Sequence, residues 1–161
     1  MVETLTLATV WLAMGAWTCG ICLGWDTSKQ VARGLWTLGL LSYLVHILCA
    51  YEAFYQWSHE IAWESTARDT EEVTGFDSGV GLLVNFAFGA LLAVDLFSQW
   101  QKGERKWARF VDSLVLFMIV NGAVVFGDGP VRWFGVFLTL AIGITICYRS
   151  RYRRIKAREN S

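Results

Sequence analysis

Polar side chains set inside apolar stretches are the residues here best able to do chemistry, because lipid makes them costly to keep. Glu52, Gln56 and His59 stand at i, i+4 and i+7 in the run CAYEAFYQWSHE. That spacing puts three side chains on one face of a continuous helix. Asn85 and Asn121 lie in two other apolar stretches. Reckoned at about 1.5 Å per helical residue, Glu52 is ~8 Å, Asn85 ~9 Å and Asn121 ~8 Å inside the ends of their stretches. The five form a candidate polar layer at one depth. Its plain role is interhelical hydrogen bonding, worth roughly 0.5–2 kcal/mol per contact. Its sharper role is to bind a proton, an ion or a quinone head group.

His46 sits near the middle of its apolar stretch. A histidine at that depth could be an axial ligand to haem or to the magnesium of a chlorin pigment. The other histidine, His59, is about 20 Å further along the same helix and cannot share that iron. Ser42, His46 and Cys49 share a helical face, so a hydrogen-bonded core histidine is the plainer expectation. His59, Glu60 and Glu64 lack the second histidine of a metal motif, and no metal site is expected. Cys19 and Cys22 form a C-x-x-C, but with Cys49 and Cys147 they fall inside apolar segments and read as small apolar residues, without disulfides. No nucleophile–base pair or phosphate loop is present, so no catalytic role is expected.

The elements that must position these residues are apolar helices. Of 161 residues, 55% are hydrophobic and 17% charged, below the roughly 25% charged of a soluble domain. Five apolar segments, about 4–24, 33–57, 79–100, 108–126 and 131–148, each approach the ~20 residues that cross a bilayer as an α-helix. Period-2 alternation is lacking, which argues against strands. The expected fold is therefore all-α: one polytopic membrane domain, residues 1–161, with five transmembrane helices. The first segment has no basic residues ahead of it and too long an apolar run for a cleaved signal peptide. The polar stretch after the second span carries Glu64, Arg68 and Glu72 at four-residue spacing, with Gly75 as a C-terminal stop. It reads as a helix that either extends the second span or lies on the membrane surface.

Lysine and arginine set the orientation. With the N-terminus outside, Lys29, Arg33, Lys102, Arg105, Lys106, Arg109, Arg149, Arg151, Arg153, Arg154, Lys156 and Arg158 fall inside, leaving only Arg68 and Arg132 outside. The reading is N-out/C-in, with 149–161 a basic cytoplasmic tail, and a bacterial inner membrane is the expected setting. That tail suits anionic lipid or a partner's acidic face, and zero net charge gives no case for nucleic acid. Trp25, Trp36, Trp100 and Trp107 are expected at the inner interface, Trp57, Trp63 and Trp133 at the outer one, and Trp11 and Trp17 against neighbouring helices. Small residues repeat at four-residue spacing, as Ala16, Gly20 and Gly24 and as Gly135, Thr139 and Gly143, and let backbones approach closely.

Small size, aromatic richness and small-residue faces suggest a non-catalytic subunit of a larger membrane assembly, respiratory or photosynthetic, with other membrane subunits as partners. A second expectation is an electron-transfer protein binding haem, chlorin or quinone. A third is a small transporter, which the absence of repeats disfavours. In a cysteine-free background, reporter cysteines at Ser65 and Ser161 are expected to react with an impermeant maleimide from opposite sides of the membrane. Labelling of both from one side would refute five crossings.

Overall fold

In hydrocarbon a peptide backbone must satisfy its hydrogen bonds within its own segment, and each apolar stretch does so as a helix. The computed structural model describes residues 1–24, 29–102 and 107–159, with no strand among them. The helices are α1 (Val2–Leu23), α2 (Lys29–Ala53), α3 (His59–Thr74), α4 (Val80–Lys102), α5 (Ala108–Ile119), continued by a π-helical stretch (Val120–Val125), and α6 (Gly129–Glu159). Five spans are long and apolar enough to cross a membrane: Val2–Leu23, Lys29–Ala53, Val80–Lys102, Ala108–Val125 and Gly129–Arg151. Their outer surface is apolar as well: Leu41, Val94, Phe97, Phe137 and Ile144 are all exposed. Water penalises such a surface and lipid does not.

The closest packing is between α1 and α2, and it is reciprocal. Trp17 of α1 lies on Gly39 of α2, so closely that a β-carbon there would overlap the indole. Trp36 of α2 lies on Gly20 of α1, where a β-carbon would stand 3.0 Å from the indole nitrogen. Both tryptophans are buried. Trp36 is thus a core residue, not the interfacial aromatic its position near a helix end suggests; the groove at Gly20 admits it. Trp100, Trp107, Trp57 and Trp133 are exposed, and Trp63 covers Gly79. Trp11 stacks on Phe134 of α6 at 5.0 Å. The small-residue stripes are filled only in part from within the chain: Gly20 by Trp36 and Gly135 of α6 by Ala123 and Val124, whereas a β-carbon at Gly143 would meet nothing within 4 Å. Trp25, Arg105 and Lys106 lie outside the described residues, as do the side chains of Arg153, Arg154, Lys156 and Arg158.

Contact pairs give the helix directions. On α1 and α2, Thr6 meets His46 and Gly20 meets Trp36. On α2 and α4, Tyr43 meets Asn85 and Thr37 meets Trp100. Both pairs therefore run antiparallel. The core draws Trp17, Tyr43, Phe88, Val115, Ile119, Leu138 and Ile142 from all five spans.

The structure departs from the sequence reading at the end of the second span, and the fourth span, with the expected bounds, changes its helical geometry. The second span stops at Ala53 and does not continue to 57, because Gln56 (φ 48°) and Trp57 (φ 60°) leave the helical region. The Trp57 amide turns back to donate to the Tyr51 carbonyl at 3.0 Å. The polar helix is therefore separate, not an extension. Ser58 caps it by accepting the Ile61 amide, and Gly75 ends it in the left-handed conformation. The fourth span loosens into π geometry at Val120–Val125, where the Phe126 amide donates to the carbonyl of Asn121. The basic segment after 148 continues α6, which runs unbroken to Glu159.

Arg149, assigned above to lipid or a partner, has an internal role. Its guanidinium donates to the carbonyls of Ile21 (2.8 Å) and Cys22 (3.0 Å) at the end of α1. Carbonyls in the last turn of a helix lack an intrahelical partner, and the negative end of the helix dipole favours a cation. Gly24 (φ 74°) leaves the room it occupies. Arg151 is exposed.

Gly39→Ala is expected to destabilise the protein by about 1–3 kcal/mol through overpacking against Trp17. Gly15→Ala, where a β-carbon meets nothing within 4 Å, is expected to leave stability unchanged or slightly higher. Thermal unfolding in detergent measures both.

Candidate functional site

Between the helices, beside His46 and Trp17, lies a cavity of about 280 Å³. Its apolar wall includes Met14 and Trp17 from α1, Ile47 and Ala50 from α2, Phe86 and Phe88 from α4, Met118 and Ile119 from α5, and Val131 from α6. Gly122 and Ala123 of the π-helical stretch complete one side. Such π insertions occur mostly as single turns, often at functional sites. The polar groups are few: Tyr43, His46, Tyr51, Tyr55, Thr66 and Asn85. An apolar chamber with a few convergent polar groups is the usual form of a small-molecule site.

These polar groups are held in place. The Tyr43 hydroxyl donates to the backbone carbonyl of Asn85 at 3.0 Å. The Tyr43 ring also meets Phe88 edge-on at 5.3 Å, and Phe88 meets Trp17 edge-on at 5.4 Å. His46 Nδ1 lies 2.9 Å from the carbonyl oxygen of Thr6. A carbonyl only accepts, so Nδ1 carries the proton and donates. In the neutral ring Nε2 is then an unprotonated acceptor. The Thr6 carbonyl thus sets the tautomer from another helix, the way second-shell carbonyls orient histidine ligands. The Tyr51 hydroxyl is paired with His59 Nδ1 at 3.0 Å.

The five-residue polar layer does not gather around one space. Asn85 alone of the five borders the cavity. Glu52 is exposed and its carboxylate accepts from the Trp57 indole N–H. Gln56 is exposed in the left-handed turn, so the i, i+4, i+7 face is broken before His59. His59 begins α3, beside Phe86 at 6.2 Å and bonded to Tyr51. Asn121 is half-buried at the start of the π-helical stretch. His46 does reach the cavity, and its hydrogen bond comes from α1, not from Ser42 or Cys49 on its own face. The sequence reading passes over the tyrosines, although Tyr43, Tyr51 and Tyr55 fall at multiples of four residues, the first two on the helix that bears His46 and Tyr55 just past its end.

The arrangement can bind and orient an occupant. The volume is of the order of one substituted ring. Among the described residues no group of three histidine, cysteine or acidic side chains converges as for a metal ion. Compared with known protein families, with curated proteins and with solved structures, the chain shows no match.

Tyr43→Phe removes the hydroxyl that ties α2 to the Asn85 carbonyl. It is expected to cost about 1 kcal/mol, read as a lower unfolding temperature.

Proposed function

We propose that this protein is a small integral-membrane binding protein that holds the ring of an amphipathic, quinone-class compound in the cavity between its helices. The observation that carries the reading is the aromatic cavity of about 280 Å³, with an oriented histidine in its wall. Tyr43, Trp17, Phe86 and Phe88 supply ring edges and faces, and offset or edge-to-face ring contacts add roughly 0.5–1.5 kcal/mol each beyond burial. The role is binding, without a catalytic step. Lysine and arginine sorting supports an N-out/C-in arrangement, which puts α3 on the outer side, and a cytoplasmic membrane suits that sorting.

A second reading is a non-catalytic subunit of a larger membrane assembly. It draws support from Gly15, Gly34 and Gly143, where a β-carbon would meet nothing within 4 Å and another helix backbone could approach. Gly20 and Gly135, by contrast, are already occupied by the chain's own side chains.

Protein purified in mild detergent is expected to show quenched tryptophan fluorescence on titration with 1,4-naphthoquinone, since Trp17 borders the cavity. Ala50→Phe, which fills the space, is expected to weaken binding at least tenfold while leaving the unfolding temperature within a few degrees. Equal quenching in the variant would overturn the reading. Mass spectrometry of the same extract, showing subunits in fixed stoichiometry, would favour the assembly reading.

A further inference from the structure

His46 borders the cavity, and its ring carries a hydrogen-bond acceptor. His46 Nδ1 is committed to the Thr6 carbonyl, so the polar atom the ring has left is Nε2, a lone pair without a proton. No protein group donates to it among the described residues. Tyr43 has already given its hydroxyl proton to the Asn85 carbonyl and keeps lone pairs only. Two of the polar side chains bordering the space, those of His46 and Tyr43, therefore need a donor, while those of Tyr55 and Asn85 can donate as well as accept. A quinone brings two carbonyl oxygens, which are acceptors and leave that need unmet. A phenol or hydroquinone brings O–H groups, which meet it.

We propose, resting on the binding reading above, that the cavity selects the hydroxyl-bearing ring, a phenol or hydroquinone, which donates its O–H to His46 Nε2. His46 is then the residue that tells the reduced ring from the oxidised one. An acceptor left unsatisfied in an apolar site is penalised, whereas a satisfied one contributes. The same logic makes the ring intolerant of O-methylation, because an ether keeps the shape and loses the donor. The Thr6 carbonyl is a positioning group: it holds the tautomer on which the selection depends.

The test uses the full-length protein in detergent under anaerobic conditions, with 1,4-hydroquinone, its dimethyl ether and 1,4-benzoquinone as probes. Hydroquinone is expected to bind roughly threefold to tenfold more tightly than either of the others, the range of one net hydrogen bond. His46→Phe keeps a ring of similar breadth and removes the acceptor. It is expected to abolish the preference, read as the ratio of hydroquinone to dimethyl-ether affinity. A direct readout on the wild-type protein covers the case in which the variant does not fold. In the ¹⁵N spectrum of the imidazole, Nδ1 is expected to be protonated, and Nε2 to shift upfield on adding hydroquinone but not the ether. If the three probes bind alike and the Nε2 resonance stays put, the selection by His46 is overturned and cavity binding stands. If the proton resides on Nε2, the selection is likewise overturned. If none of the probes binds, the binding reading falls together with it.

Discussion

The architecture depends on two tryptophan–glycine contacts between α1 and α2. Each helix carries a tryptophan that seats on a glycine of the other: Trp17 on Gly39 and Trp36 on Gly20. Between helices in lipid there is little hydrophobic drive, since the solvent is as apolar as the side chains, so association rests on close van der Waals fit and on hydrogen bonds. A glycine gives a large ring direct access to backbone, and a buried indole makes many weak contacts that add up. The reciprocal arrangement sets the register of the two helices as well as their spacing, because both rings must find their glycines together.

The functional geometry follows from that register. With Trp17 and Trp36 seated, Thr6 stands opposite His46, and the carbonyl of one helix dictates the tautomer of the histidine on the other. The fit is close at Gly20 and Gly39, whereas the cavity occupies the half of the bundle where His46 and Thr66 lie. The π-helical stretch at Val120–Val125 belongs to the same picture. A π turn offsets the helix beyond it, and here it contributes Gly122 and Ala123 to the cavity wall. Packing of Gly135 onto Ala123 and Val124 holds α6 against that offset.

The two ends of the bundle are closed by different devices. At one end the chain leaves α2 through Gln56 and Trp57 in left-handed backbone, a conformation costing of order 1–3 kcal/mol per non-glycine residue. The Glu52–Trp57 bond, the Trp57 amide to Tyr51 and the Ser58 amide to Tyr55 offset that strain. The turn lets α3 start afresh and lay Thr66 against the cavity. At the other end Arg149 neutralises the C-terminus of α1, fastening the last span to the first.

Much of the fold was legible in the amino-acid order, for a plain reason. The hydrophobic length that crosses a bilayer is a local property of about twenty consecutive residues, so all five spans could be read, and Gly75 ends α3 through chemistry confined to a few neighbours. Depth could be estimated in the same local way, and it put Glu52, Asn85 and Asn121 at one level. Facing is another matter. Which side of a helix meets which neighbour depends on the seating of Trp17 and Trp36, a relation between residues about twenty positions apart. That relation sent His46 to the cavity, left Glu52 on the surface and drew Trp36 into the core. The break at Gln56 arises from backbone strain that hydrogen bonds and packing sustain, and helical periodicity carries no sign of it. Residue types and their spacing settled what kind of molecule this is, since both act along the chain. The assembly of the site needed contacts across helices, because an acceptor at Nε2 exists only once a carbonyl from another helix has claimed Nδ1.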